Sequence, residues 1–204
     1  MPSQAPATCQ ICSAPVGPFV HTSRGCSHCA GSRFAFTSVV SLGVYADFLR
    51  ELCRQGKSPA GQLLISCLTR RLWELHGERL REWECDIIIP VPMYWRDRLI
   101  RRVHPNDSIA ESLSRLLERP VHRHVLALRR KLPKQSQLSP SRRRQLPSGS
   151  YVGRWQSRVR GKTVLLVDDV LTTGATMHAC ARELQRLGAS RIHAAVLARG
   201  LGQR

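Results

Sequence analysis

One short apolar segment, ending in two acids and leading into a helix, constrains the fold more than any other feature. Residues 163–167 (Thr-Val-Leu-Leu-Val) form this segment, which is typical of a strand buried at the centre of a parallel sheet. A helix is predicted over residues 175–187, and Gly188 can end it in a left-handed conformation. A buried strand, a turn and a helix in this order predict one unit of an α/β fold.

The rest of the chain alternates in the same way. Helices are predicted over residues 45–55, 61–75 and 109–117, and strands over residues 86–90, 121–128 and 192–197. Together these elements predict a parallel sheet flanked by helices in a main domain of residues 61–204, with residues 37–60 as a connecting helix and linker. No apolar run is long enough to span a bilayer and no secretory signal is visible. We therefore expect a cytoplasmic chain without a membrane partner.

Four cysteines near the start have the spacing C-x₂-C-x₁₃-C-x₂-C: Cys9, Cys12, Cys26 and Cys29. Two short Cys-x-x-Cys turns can each offer two thiolates to one tetrahedral Zn²⁺. About thirty residues cannot bury a sufficient core, so the metal would supply most of the folding free energy. Disulfides are the alternative, and a cytoplasmic location disfavours them. Residues 1–36 are therefore predicted to be a zinc ribbon.

The turn after the apolar strand combines acids, hydroxyls and a glycine. Its candidate binding residues are Asp168, Asp169, Thr172, Thr173, Gly174, Ala175 and Thr176. Ligands of open α/β sheets bind beyond the carboxyl ends of the strands, and a helix N-terminus favours phosphate. The carboxylates can accept hydrogen bonds from sugar hydroxyls or help to orient Mg²⁺. Helix capping alone is the alternative, and it does not account for two adjacent acids followed by so many hydroxyls.

The stretch over residues 168–176 resembles the phosphoribosyl-pyrophosphate signature of type I phosphoribosyltransferases. The whole chain resembles the ComF/GntX family, competence-associated proteins that carry an N-terminal zinc ribbon. Besides the cysteines, the features that agree in order are Lys57, Ile89-Pro90-Val91-Pro92, Gln135, Leu138, Arg143, Gly149 and Tyr151. The resemblance implies a type I phosphoribosyltransferase-like fold that binds phosphoribosyl pyrophosphate, or a related sugar phosphate, together with Mg²⁺.

The resemblance also implies roles for individual residues. Asp168 and Asp169 would engage the ribose hydroxyls, the Thr-rich turn would hold the 5′-phosphate, and pyrophosphate would be displaced from the anomeric carbon. Residues 131–150 would close over the substrate, and Asp168, Asp169 and Arg143 are the catalytic candidates. The pyrophosphate side would include Pro90, Val91, Arg96, Arg98 and Arg101. The family's Arg-Gly-x-Asn appears here as Arg101-Arg102-Val103-His104, a departure that bears on turnover, and no acceptor is indicated.

The sequence also allows two other functions. The net charge is +18, and residues 119–167 contain thirteen Lys or Arg and no Asp or Glu. Such a tract is typical of a solvated segment or of a surface that faces anions. A factor that binds single-stranded DNA or a DNA-uptake protein, on a fold that has lost the reaction, is one alternative. A regulator that senses the sugar phosphate without converting it is the other.

Overall fold

The computed structural model describes residues 7–93, 104–129 and 149–201. Within them the strands are β1 Ser38–Val44, β2 Ile87–Pro90, β3 Leu126–Leu128, β4 Tyr151–Gly153, β5 Thr163–Leu171 and β6 Arg191–Arg199. The main sheet has four parallel strands in the order β1-β6-β5-β2, and β3 and β4 form an antiparallel pair. The predicted parallel sheet is thus present, and the predicted apolar segment forms part of its inner strand β5.

Helices cover both faces of the sheet. They are α1 Asp47–Gln55, α2 Gln62–Glu82, α3 Pro105–Leu117 and α4 Ala175–Arg186. In β5, Leu165 and Val167 pack into one cluster with α1, α2 and α3, whereas Val164 and Leu166 pack into a second cluster with α4 and the β3–β4 hairpin. Because successive strand side chains point to opposite faces, an apolar residue at every position of this segment is what a two-sided core requires.

Strand β1 lies where the sequence predicted only a connector. It pairs in parallel with β6, with Ser38 opposite His193. Its buried serines obscure the strand pattern, but each has a partner: Ser38 Oγ lies 2.7 Å from His193 Nδ1, and Ser41 Oγ lies 2.8 Å from Ser13 Oγ. These partners are distant in sequence, so the pattern could not reveal them. The domain boundaries at residues 36, 60 and 61 stay predictions.

Strand β5 is longer than its apolar segment. It continues to Leu171, which lies opposite Arg199 of β6, while β2 ends at Pro90 opposite Val167. Residues 168–171 therefore extend beyond β2 and, among the described strands, pair only with β6. The sequence-based end of the strand at Val167 was wrong. The apolar pattern stops at Asp168, but backbone pairing with β6 continues to Leu171.

Two helices also differ from their predicted bounds. Helix α2 runs to Glu82 rather than to residue 75, and α3 begins at Pro105 rather than at residue 109. Proline at a first helical position needs no hydrogen-bond partner for its nitrogen, which allows the early start. Among the described residues, none of the helices is both long and apolar enough to cross a membrane.

Candidate functional site

The candidate site lies at the carboxyl end of β5. Asp168 and Asp169 occupy the part of β5 that extends beyond β2, and as neighbours in a strand they point to opposite faces of the sheet. The surroundings agree with this geometry: Asp169 contacts Lys57, which follows α1, whereas Asp168 lies near Tyr151 and Cys180 on the α4 face. The two adjacent acids therefore have different chemical environments.

Asp168 is almost fully buried, with 9% of its surface exposed. Its Oδ1 accepts hydrogen bonds from Asn106 Nδ2 at 2.9 Å and from the Asp169 amide at 3.0 Å. Burial, and then the charge of Asp169, raise the pKa of Asp168 to about 8, against the opposing effects of these hydrogen bonds and of Lys57. Asp168 is thus a carboxyl group that is easily protonated near neutral pH.

Asp169 is held in an ion pair. Its Oδ2 lies 2.6 Å from Lys57 Nζ, and both side chains are partly exposed. Burial works to lower the pKa of Lys57, but the charge and hydrogen bond of Asp169 outweigh it and raise that pKa. The sequence singled out Lys57 as a shared family feature without a role, and the structure brings its ammonium group into the site.

The turn after β5 leads directly into the N-terminus of α4. Gly174 precedes the helix with φ 80° and ψ 0°, a left-handed conformation that glycine adopts without strain. The Ala175 amide donates to Thr173 Oγ1 at 3.3 Å. The first amides of a helix lack intrahelical acceptors and carry the positive end of the helix dipole. The predicted arrangement of turn and helix is therefore present, at the edge where both acids lie.

Asn106, at the start of α3, is a site residue that the sequence analysis missed. Its Nδ2 donates both to Asp168 Oδ1 and, at 3.0 Å, to the carbonyl of Val91. The family pattern has an asparagine where this chain has His104, so the sequence indicated the loss of an amide side chain. An amide is nevertheless present two residues later, and it joins the end of β2 to the buried carboxyl group.

Tyr151 closes the α4 side of the site. It is buried, and its hydroxyl hydrogen-bonds with Thr176 in the first turn of α4. Burial, and then the charges of Cys180 and Asp168, raise the pKa of Tyr151 well above its usual range. Tyr151 therefore stays a neutral phenol and links the β3–β4 hairpin to the helix that begins the candidate phosphate site.

The remaining candidates divide into two groups. The end of β2 adjoins the site, because the Val91 amide donates to the Val167 carbonyl at 2.8 Å and Pro90 lies opposite Val167. The other candidates lie outside the described residues: Arg96, Arg98, Arg101 and Arg143. Their roles stay predictions.

The four predicted metal ligands form a second, separate cluster. Cys9, Cys12, Cys26 and Cys29 are buried, and their Sγ atoms all lie within 4.8 Å of one another. The Sγ atoms of Cys9 and Cys29 are 3.8 Å apart, those of Cys12 and Cys26 3.7 Å, and those of Cys26 and Cys29 3.9 Å. A tetrahedron of sulfurs at about 2.3 Å from a central ion has edges of about 3.8 Å. The cluster therefore has the dimensions of a four-thiolate zinc site.

The variant Asp168→Asn should weaken the dependence of stability on pH. Folding raises the pKa of Asp168 from 3.8 to about 8, so the folded state binds this proton more tightly than the unfolded chain does. Its contribution to the free energy of unfolding is full below about pH 4 and is lost as the pH rises through about 8. Urea unfolding at pH 5 and pH 8 measures this. Wild type should lose about 1.4 kcal/mol per pH unit relative to the variant, and equal losses would contradict the raised pKa.

Comparisons with known proteins agree with this geometry. Residues 107–204 match the family described as phosphoribosyl transferase domain. The chain is 29% identical over 187 residues to DNA utilization protein YhgH of Escherichia coli O157:H7, covering 90% of this chain and 82% of that protein. It is 28% identical over 178 residues to competence protein F of Haemophilus influenzae, covering 85% of this chain and 78% of that protein.

Among solved structures, the purine phosphoribosyltransferase of Pyrococcus horikoshii aligns with 77% of each chain at 24% identity and a TM-score of 0.40. The predicted fold, a type I phosphoribosyltransferase-like parallel sheet flanked by helices, is confirmed. The chain is thus a homologue of competence protein F and of YhgH, with a phosphoribosyl transferase domain and an N-terminal four-cysteine cluster.

Proposed function

We propose that this chain binds a phosphoribosyl pyrophosphate-type ligand with Mg²⁺ at the end of β5 and transfers its ribosyl-phosphate group to an acceptor. The observation that carries the proposal is the continuous path from two acids, through the left-handed Gly174, into the N-terminus of α4. It offers acceptors for sugar hydroxyls and donors for a phosphate within one short segment.

The 5′-phosphate would lie over the turn at residues 172–176. There the helix dipole favours a negative charge, and the left-handed conformation of Gly174, which glycine adopts without strain, leads directly into the first amides of α4. Charge-assisted hydrogen bonds of this kind contribute roughly 1.5–3 kcal/mol each. The ribose hydroxyls would then reach the carboxyl groups of Asp168 and Asp169, which Val170 and Leu171 separate from the turn.

Lys57 and Asn106 would prepare the two acids for this role. Lys57 places a positive charge 2.6 Å from Asp169, where it can also attract an anionic ligand. Asn106 fixes one oxygen of Asp168 through its amide. The oxygen-rich set suits Mg²⁺, which prefers oxygen ligands and would neutralise the departing pyrophosphate.

The four-cysteine cluster is proposed to hold a structural Zn²⁺. The support is that three of its Sγ–Sγ distances, 3.7 to 3.9 Å, match the edge of a tetrahedral zinc–thiolate site, and that all four Sγ atoms lie within 4.8 Å of one another. Four buried thiols without a metal would gain little from this arrangement, whereas a bound ion would link both Cys-x-x-Cys turns into one unit.

Metal analysis tests the zinc proposal. Freshly isolated, reduced protein should contain one zinc per chain, and Cys12→Ser should lose most of it because one of four ligands is removed. Cys67→Ser is the matched control, since Cys67 is exposed and lies outside the cluster. Wild-type protein without zinc, or a Cys12→Ser variant that retains a full equivalent, would contradict the proposal.

Calorimetric titration with phosphoribosyl pyrophosphate and Mg²⁺ tests the ligand site. The double change Asp168→Asn with Asp169→Asn should weaken binding more than tenfold, because hydrogen bonds from ribose hydroxyls to charged acceptors are lost. Asp86→Asn is the matched control: its carboxylate accepts the Thr163 amide at the opposite end of β5. Equal affinities in wild type and the double variant would mean that the ligand does not bind at these acids.

Nucleic-acid binding is the second candidate, favoured by a basic surface near the amino end of β5. Arg158 Nη1 donates to His122 Nδ1 at 3.3 Å and its guanidinium lies 5.9 Å from the ring of Trp155, which is 60% exposed. The pKa of His122 is lowered by burial and by the charges of Arg158 and Lys162. Cations beside an exposed aromatic ring suit phosphates and a stacked base, and the relatives' names refer to DNA utilization and competence.

Salt dependence separates the two functions. If the basic surface follows a polynucleotide, the binding constant for single-stranded DNA should fall steeply with salt, with a log–log slope of roughly −0.7 per phosphate contacted. Arg158→Ala with Lys162→Ala should reduce that slope by up to about 1.4 and leave sugar-phosphate binding unchanged. The control is the double variant Arg54→Ala with Arg70→Ala, because these arginines pair with acids on α1 and α2. A slope unaffected by the Arg158 and Lys162 changes would exclude this surface.

A further inference from the structure

The ring of Phe34 covers one side of the left-handed turn before α4. A Cβ atom at Gly174 would lie 2.7 Å from Cε1 of Phe34, so the ring of Phe34 packs directly on the backbone of this glycine. Any rotation of the turn away from φ 80° changes that contact. Phe34 comes five residues after Cys29, the last of the four clustered cysteines.

Hydrogen bonds fix the segment around Phe34 to α4. The Ala35 amide donates to His178 Nδ1 at 3.1 Å, and Gln185 Nε2 donates to the Ala35 carbonyl at 3.0 Å. The ring of Phe34 stacks on that of the buried Phe36, with centroids 4.6 Å apart. The segment is therefore anchored to the same helix whose N-terminus would receive the phosphate.

A second segment holds the turn from its other side. Arg199 is buried, and its Nη1 donates to the carbonyls of Leu171, at 3.0 Å, Thr172 and Gly200. The Gly200 amide also donates to the Leu171 carbonyl at 2.8 Å. A Cβ atom at Gly200 would lie 3.0 Å from Cγ2 of Thr172, so the two backbones are in close contact.

Both segments lead to the cysteine cluster. Phe34 and Leu201 are two of the partly buried residues that pack on it, besides Ile11 and Val16. One comes from the chain just after the cysteines and the other from the chain just after β6. The cluster, the two segments and the turn thus form one continuous packed unit.

We infer that the four-cysteine cluster, when metal is bound, holds the turn at residues 172–174 in its anion-binding conformation, with Phe34 and Arg199 as positioning residues. Metal loss frees Phe34 and Leu201, and the turn then samples other conformations at a cost in anion affinity. The effect on ligand affinity rests on the proposed function, whereas the effect on the turn itself does not. By reciprocity, a ligand that orders the turn raises the affinity of the cluster for the metal.

Hydrogen–deuterium exchange of the unliganded, metal-containing protein tests the contact. Phe34→Ala should speed exchange of the amides at residues 172–176 about tenfold, equivalent to about 1.4 kcal/mol, while β6 and α2 keep wild-type protection. Phe34→Leu, which retains an apolar contact, should restore most of the protection. Phe19→Ala is the matched control, because Phe19 lies between Cys12 and Cys26 in the chain and is 93% exposed. Unchanged exchange at the turn, or equally faster exchange throughout the sheet, would overturn the inference.

Removal of the metal by a chelator provides the second arm. The stripped protein should show the same local increase at residues 172–176, and wild-type exchange there would overturn the inference. Phosphoribosyl pyrophosphate with Mg²⁺ should raise the zinc affinity of wild type about tenfold and that of Phe34→Ala much less. An equal rise in both would also count against the inference. If wild type binds no phosphoribosyl pyrophosphate, the proposed function fails, and the exchange results on unliganded protein alone decide the inference.

Discussion

The parallel pairing of β5 with β6 beyond the end of β2 is the constraint on which the site depends. At Val167 the central strand still has neighbours on both sides, but from Asp168 to Leu171 it has only β6. That asymmetry allows polar residues in a strand whose preceding segment is wholly buried. It also brings Asp168 next to Asn106, whose amide joins it to the carbonyl of Val91.

The two acids use this position differently because strand geometry sends them to opposite faces. Asp169 gains an ammonium partner, whereas Asp168 is buried with an amide and a backbone N–H as donors. Burying a carboxylate beside a second carboxylate is unfavourable unless donors or cations compensate. The raised pKa of Asp168 reflects incomplete compensation in the unliganded site. An arriving hydroxyl donor or cation would relieve that electrostatic cost, so the site is suited to a polyhydroxylated, metal-bound ligand.

The sequence predicted the features that depend on neighbours along the chain. The apolar strand, the turn at Gly174 and the start of α4 follow from local pattern, and the cysteine spacing is enough to predict the cluster. What it missed depends on long-range contacts. Strand β1 contains serines whose partners are remote in sequence, and Asn106 acquires its role only when α3 brings it to Asp168.

The site also has one fixed side and one open side. On the β6 side, Arg199 binds the carbonyls at the end of β5, and Phe34 packs on Gly174, so chain segments from near both ends of the protein support the turn. On the β2 side, none of the described strands lies beside β5 after Val167, and the Asn106 amide joins Asp168 to the carbonyl of Val91. A ligand whose phosphate is held at the turn would therefore extend towards Pro90 and Val91. Specificity for whatever receives the sugar would then depend on the segments that follow β2, because the β6 side is already filled.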